Sequence, residues 1–240
     1  MSGHSHAKTV MAGKMANAAK KGKIYSKYGR LITIAVKDGG GSGDPAKNSK
    51  LKATIEQAKA MDMPKENIER AIKKGTGELV GENLEEISIE GFGPGGIALI
   101  IDGITDNENR TLTDVKVILN QNNGKMAGEG AVRWMFERKG VIIASGGGKT
   151  KDELEMIAIE CGADDISWTE NSLEIHTKPE DLEVVKKALE DKQVKIESAS
   201  LDYVAKEQIE ISEKEKEQAE KLFEALDDND AVNNVYSNLI

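Results

Sequence analysis

The sixty residues from Val141 to Ser200, VIIASGGGKTKDELEMIAIECGADDISWTENSLEIHTKPEDLEVVKKALEDKQVKIESAS, decide the fold class. Val141–Ala144 is a short β-branched run that reads as a strand, and Lys151–Glu160 has the apolar spacing of a helix. Asp165–Trp168 and Leu173–Thr177 read as two more strands, Pro179–Leu189 as a second helix and Val194–Ser200 as a closing strand. The resulting order, β-α-β-β-α-β, is the ferredoxin-like one. Upstream, Glu85–Gly91 alternates, Phe92–Gly96 makes a tight glycine-proline turn and Ile97–Ile104 is a buried apolar run, together a hairpin. A helix is predicted from Thr111 to Asn120 through Leu112, Val115, Ile118 and Leu119. Downstream, Leu201–Ile211 reads as a strand, Ser212–Leu226 as a helix opened by the Ser212/Glu215 capping pattern, and Val232–Tyr236 as a strand. Neither flank closes a sheet alone. Residues 79–134 and 201–240 are therefore expected to pair as one discontinuous α+β domain, with residues 135–200 inserted as a second.

Residues 1–78 form a separate, helical part. Ala7, Met11, Met15 and Ala18 recur near the helical period, with Ser5 as cap and Gly22 in a C-terminal capping position. A second helix starts near Ile24, keeps Tyr28, Leu31, Ile32 and Ala35 on one side, and ends at Gly39–Gly43. A third follows the Asp44-Pro45 start signal with Leu51, Ile55 and Ala58 inward. A fourth runs from Pro64 to Gly75 with Ile68, Ala71 and Ile72 apolar and Lys73 and Lys74 complementing its dipole. The expected whole is multidomain: an N-terminal all-α bundle, then two α+β (ferredoxin-like) domains, one inserted in the other.

The 240 residues carry a net charge of −9, which argues against a polyanion partner only on average. Residues 1–75 hold 16 Lys and Arg against 6 Asp and Glu, a balance of +10; residues 76–240 hold 17 against 36, a balance of −19. Such asymmetry is what a polyanion-binding module joined to acidic domains produces, whereas merely solvated helix faces mix both signs. No run of about 18 apolar residues exists to span a membrane, the N-terminus lacks a signal-peptide core, and Cys161 is the only cysteine. The expected address is the cytoplasm.

Motifs of catalysis are wanting. Gly146-Gly147-Gly148-Lys149-Thr150 imitates a phosphate loop, but Ile143 stands where a Walker A loop needs its first glycine, so a strand-to-helix turn capped by Thr150 is expected. Gly91–Gly96 joins two strands and contains Pro94, which removes an amide a phosphate would need. His4, His6 and His176 lack the spacing of a zinc site, although a free Ser2 amine would let His4 complete an adventitious Cu(II) or Ni(II) site. No nucleophile has a base and an orienting group nearby in sequence, and Cys161 reads as a packing residue. No enzyme activity, cofactor or metal is expected.

The basic N-terminal part carries the functional expectation. Lys8, Lys14, Lys20, Lys21, Lys23, Lys27 and Arg30 precede the first acidic residue, Asp38. Flexible cationic stems bind phosphates and give affinity without base choice, and lysine's predominance over arginine favours backbone contact over guanine readout. Tyr25 and Tyr28 interleave with this charge; Tyr28 falls on the expected core face. Residues 141–200 hold 7 Lys and no Arg against 14 acidic residues, a poor RNA platform and a better protein-contact surface.

The chain resembles the YebC family. The resemblance is carried by Gly3-His4-Ser5, Lys20–Tyr25, Asp44-Pro45 with Asn48, Met63–Ile72, Glu90–Gly96, Asn107–Thr111, Met135–Val141 and Asn234-Val235-Tyr236, and so covers essentially the whole length. Typical members carry Lys-Trp after the Gly-His-Ser start, where this chain has His6-Ala7. The resemblance implies three domains and a cytoplasmic, DNA-binding transcriptional regulator. Other members, the mitochondrial relative among them, are similar to translation factors that act at the ribosome. The expected partner is nucleic acid, DNA or ribosomal RNA, with the ribosome as its second setting. A protein-binding adaptor using the acidic α+β domains is the alternative from another class.

Overall fold

The computed structural model describes residues 18–145, 148–169 and 172–240. Helix α1 (Ala18–Asp38) runs unbroken through Gly22, where the sequence pattern places a helix end. A mid-helix glycine costs roughly 1 kcal/mol relative to alanine. Burial of Ile24, Tyr28, Ile32, Ala35 and Val36 along one face outweighs that cost. The helix expected upstream, from Ser5, lies outside the described residues as far as residue 17.

Helix α2 (Ser49–Ala60) does not begin at Asp44-Pro45. Its N-cap is Asn48, whose Oδ1 accepts from Leu51 N at 3.0 Å while its side-chain amide donates to Ala35 O at 2.8 Å. Buried Asn48 therefore caps one helix and ties it to another, whereas exposed Asp44 closes a local turn with Lys47 N. Helix α3 (Lys65–Thr76) ends at Gly77 with φ 83°, two residues beyond the predicted Gly75. Gly75 has another duty: a Cβ there would stand 2.6 Å from Val36 Cβ and 2.9 Å from Thr33 O. It is a point of closest approach between α1 and α3.

The remaining elements are β1 (Glu85–Phe92), β2 (Ala98–Thr105), α4 (Glu108–Gln121), β3 (Lys125–Met126), β4 (Phe136–Ser145), α5 (Lys151–Glu160), β5 (Asp165–Thr169), β6 (Ser172–Thr177), α6 (Leu182–Asp191), β7 (Lys195–Ala205), α7 (Glu213–Asp227) and β8 (Val232–Ser237). They build two antiparallel sheets, ordered β3-β1-β2-β8 and β5-β6-β4-β7. The hairpin turn at Pro94–Gly96 needs φ of 69° at Gly95 and 79° at Gly96, which glycine adopts without strain. The capping box read from sequence, Ser212 with Glu215, is present, and the expected Thr150 cap is completed into a second box by Glu153.

In the first sheet, Ile89, Leu99, Ile101 and Val235 pack under α4 and α7. The opposite face buries Ala98, Ile100 and Tyr236 against Val132 and Phe136. Strand β2 is thus covered on both faces, the reason its sequence is apolar without a break from Ala98 to Ile101. In the second sheet, Ile142, Leu173 and Ile175 pack against Leu154, Ala158, Val185 and Leu189 of α5 and α6. The predicted strand Leu201–Ile211 is not a separate element. Residues 201–205 prolong β7, pairing with β4 from Leu201↔Gly140 to Ala205↔Phe136, because Phe136 and Tyr203 carry this ribbon onto the first sheet. Beyond it only the isolated bridge Ile209↔Leu239 forms.

The loop leading into β4 is held by one side chain. Glu90, 3% exposed, accepts from Gly130 N and Val132 N at 2.8 Å and Arg133 N at 3.1 Å, with Arg133 Nε 3.4 Å away. Burial raises a carboxyl's pKa, but here the three amides and the guanidinium outweigh burial and hold Glu90 below its ordinary 4.5. A carboxyl depressed in the folded state stabilises above its unfolded pKa, and that contribution disappears as pH falls through the folded one. Glu90→Gln is expected to cost about 1–3 kcal/mol at pH 7 and to remove part of the acid-induced loss of stability below pH about 4.5. Urea melts at stepped pH check this; a variant retaining the full wild-type acid slope contradicts it.

Candidate nucleic-acid interface

Lys23, Lys27 and Arg30 recur at i, i+4 and i+7 and form one stripe on α1. The stripe faces the end of α7, where Asp227, Asp228, Asn229 and Asp230 follow one another. Lys27 Nζ donates to Asp227 O at 2.6 Å and pairs with Asp227 Oδ1 at 3.2 Å. Lys23 Nζ reaches Asp228 O at 3.2 Å, and Arg30 donates to Asp230 O at 2.8 Å. A helix C-terminus carries partial negative charge on its free carbonyls, and α7 has no basic residue in its last turn to offset it. Helix α1 supplies the missing cations from two hundred residues away.

Lys27 is the centre of this contact, 3% exposed. Burial lowers its pKa, more than Asp227, Asp230 and Asp228 raise it. Lys23, paired with an open Asp228, sits in solvent, where such pairs contribute little. Domain-scale docking has further contacts. Lys50 pairs with Asp38 and, at 3.0 Å, with Glu86 of β1; Lys186 of α6 lies 3.7 Å from Glu56; and Ile34 packs with Leu84 and Ile104.

Of the seven cations expected to meet phosphate, the structure therefore brings three together and places them on an acidic turn of the chain itself. Buried Lys27 offers no free ammonium in this arrangement. Lys21 is half-buried with no ion pair among the described residues. Lys8 and Lys14 lie outside the described residues, as does the side chain of Lys20. Tyr28 is buried in the helical core as its spacing implied, and Tyr25 donates its hydroxyl to Asp62 O at 2.9 Å.

Other cations are open. Lys37, Lys52, Lys59, Arg70, Lys73 and Lys74 are exposed and have no carboxylate at ion-pair distance among the described residues. Lys52 and Lys59 are seven apart on the outer side of α2; Arg70, Lys73 and Lys74 follow at i, i+3 and i+4 on the last turns of α3. Sequence reasoning counted Lys37 in the basic segment, assigned Lys73 and Lys74 to the helix dipole and passed over Lys52, Lys59 and Arg70. Their positions off the buried stripe of Leu51, Ile55, Ala58, Ile68 and Ala71 were the available signal.

The second sheet carries a polar pair that sequence reasoning left as a lone histidine. Glu174 and His176, two apart on β6, share one face, both buried and hydrogen-bonded, with Asp165 3.9 Å from His176. No group of three or more His, Cys, Asp or Glu side chains placed to hold a metal ion occurs among the described residues, and none of their helices is long and apolar enough to cross a membrane. Burial pushes the Cys161 thiol up, away from the reactive thiolate.

A cationic helical unit docked on two antiparallel α+β sheets defines the class. The TACO1/YebC protein N-terminal domain matches residues 5–78, and the TACO1/YebC second and third domain matches residues 84–239. The chain belongs to the TACO1/YebC family. It is 45% identical over 240 residues to a probable transcriptional regulatory protein of Thermoanaerobacter pseudethanolicus, covering all of this chain and 97% of that one. A protein of the same description from Prosthecochloris aestuarii is 44% identical over 240 residues, covering all of this chain and 95% of the relative. The crystal structure of a conserved hypothetical protein from Aquifex aeolicus superposes with a TM-score of 0.86 at 40% identity, over 93% of this chain and 91% of that one.

Removing one partner of a buried pair strands the other charge. Lys27→Met is expected to weaken docking by roughly 2 kcal/mol, seen as faster hydrogen exchange in α1 and across residues 77–83. Lys59→Met, on the open side, should leave exchange unchanged. Equal behaviour of the two variants would dispose of Lys27 as the docking centre.

Proposed function

We propose that this protein is a nucleic-acid-binding regulator of gene expression that acts in the cytoplasm with no catalytic step of its own. The observation that carries this reading is the set of exposed cations on α2 and α3, Lys52, Lys59, Arg70, Lys73 and Lys74, without ion-pair partners among the described residues. The relatives described as probable transcriptional regulatory proteins support the regulatory role. Lys8, Lys14, Lys20 and Lys21 are proposed phosphate contacts on their charge in the sequence, while Lys23, Lys27 and Arg30 hold the helical unit in place.

Five cations, four of them lysines, suit phosphates, which fix position and affinity, more than base edges. DNA-binding transcriptional control is the reading the relatives' descriptions favour. A ribosomal RNA partner, in a translation-factor role, is favoured by the lysine-dominated surface, since backbone contacts require no operator.

Reversal of Lys52, Lys59, Arg70 and Lys73 to Glu tests the surface. Affinity for a labelled DNA duplex and an RNA hairpin should fall more than tenfold, and the slope of log affinity against log salt should shrink by roughly 3–4. Fluorescence anisotropy from 50 to 300 mM salt (about this range separates the slopes) makes the measurement. An unchanged slope moves the contact off α2 and α3. Preference for the hairpin over the duplex decides for RNA, and preference for promoter duplex decides for transcription.

A further inference from the structure

Strand β1 has an open edge. Its inner side pairs with β2 over the full length, from Glu85↔Thr105 to Phe92↔Ala98, but its outer side meets β3 only at Gly91 and Phe92, with one further bond from Ala127 N to Glu90 O. Main-chain groups alternate between the two sides of a strand. If the Glu90 carbonyl points to the β3 side, so do the N–H and C=O groups of Ser88 and Glu86. Neither residue's main chain has a hydrogen-bond partner on that side among the described residues, and Glu85, Glu86 and Ser88 are exposed. The loop that would have prolonged β3 is drawn off the edge because Glu90 captures the amides of Gly130, Val132 and Arg133.

A groove of about 460 Å³ follows this edge. Its apolar wall is Ile87, Leu112 and Met126, each half-buried at the margin of the first core. Its rim carries Glu85, Glu86, Glu108 and Glu129. Lys50 already neutralises Glu86, and Arg133 is committed to Glu90 and Ser88, but Glu85, Glu108 and Glu129 have no ion pair among the described residues. Folded proteins normally protect such an edge by covering, bulging or charging it, and an edge that keeps free main-chain groups beside an apolar wall is a template for strand addition.

We propose that the open edge of β1 receives an extended peptide of a partner protein as an added strand. An apolar side chain of that peptide packs against Ile87, Leu112 and Met126, and flanking Lys or Arg side chains face Glu85, Glu108 and Glu129. Six residues of strand span roughly 20 Å, so a peptide of about six residues fills the edge. The site lies on a different element from the cations of α2 and α3, so its failure leaves the nucleic-acid reading untouched.

The probe is an eight-residue peptide of alternating lysine and valine, added to the full-length, isotope-labelled protein. Exchange of the Glu86 and Ser88 amides should slow at least tenfold, and the methyl signals of Ile87, Leu112 and Met126 should shift. The same peptide with every second amide N-methylated keeps its charge but not its pairing, and should bind at least tenfold more weakly. Ser88→Pro removes an outward N–H while leaving the main-chain bonds to β2, and should abolish binding of the unmethylated peptide. Equal binding by the methylated peptide, or protection confined to other acidic surfaces, overturns the proposal. Concentration-dependent dimerisation that protects the same two amides without peptide assigns the edge to a second copy and also overturns it. If Ser88→Pro fails to fold, the methylated peptide alone decides.

Discussion

The end of α7 is an electrostatic problem that no local residue solves. Three carboxylates, on Asp227, Asp228 and Asp230, gather where the helix already exposes unpaired carbonyls and partial negative charge. Left in water the cost is modest, but this end is part of the surface on which the helical unit sits, and Lys27 enters it almost fully buried. Burial pushes the lysine toward its neutral form; the carbonyl and carboxylate of Asp227 oppose that shift. Buried there, either side would be left with an uncompensated charge without the other. Each needs the other, and so the position of α1 relative to the sheets follows from charge as much as from apolar contact.

That solution divides the cations of the helical unit into two populations. Lys23, Lys27 and Arg30 are turned inward along one stripe of α1, while α2 and α3 turn Lys52, Lys59, Arg70, Lys73 and Lys74 outward. The division explains how a chain of net charge −9 presents an open positive surface at all. The acidic remainder does not merely dilute the basic segment; one turn of it consumes the cations nearest to it and fixes the rest facing solvent.

Much of the fold was legible because it rests on local rules. The Thr150 cap, the Ser212–Glu215 capping box, the glycine-proline hairpin and the β-α-β-β-α-β order each depend on residues close in sequence, whose periodicity and turn chemistry agree. What failed was set by distant partners. Gly22 looks like a stop until the buried face of α1 is counted, Asp44 looks like a cap until buried Asn48 is seen to bridge Ala35 and Leu51, and Leu201 looks like a new strand until Phe136 pairs with Ala205. At the candidate interface the cationic character was legible, but the partner of Lys27 lies two hundred residues away. The one available hint was a helix ending in Asp-Asp-Asn-Asp without a compensating base, a local conflict that implies a distant remedy.

The two sheets meet the same requirement in opposite ways. In the first, β2 is apolar on both sides from Ala98 to Ile101 because α4 and α7 cover one face and the β4–β7 ribbon covers the other. In the second, one face is apolar under α5 and α6, while Glu174 and His176 are buried as a hydrogen-bonded polar pair. A buried carboxylate is tolerated only when it is paired, so this strand gives up the latitude of an ordinary apolar core in exchange for a defined partner at each polar position. The backbone arrangement therefore does not by itself say what the molecule contacts. The faces do: an apolar one for assembly, a paired polar one within the second sheet, and a lysine-bearing one left open on the helical unit.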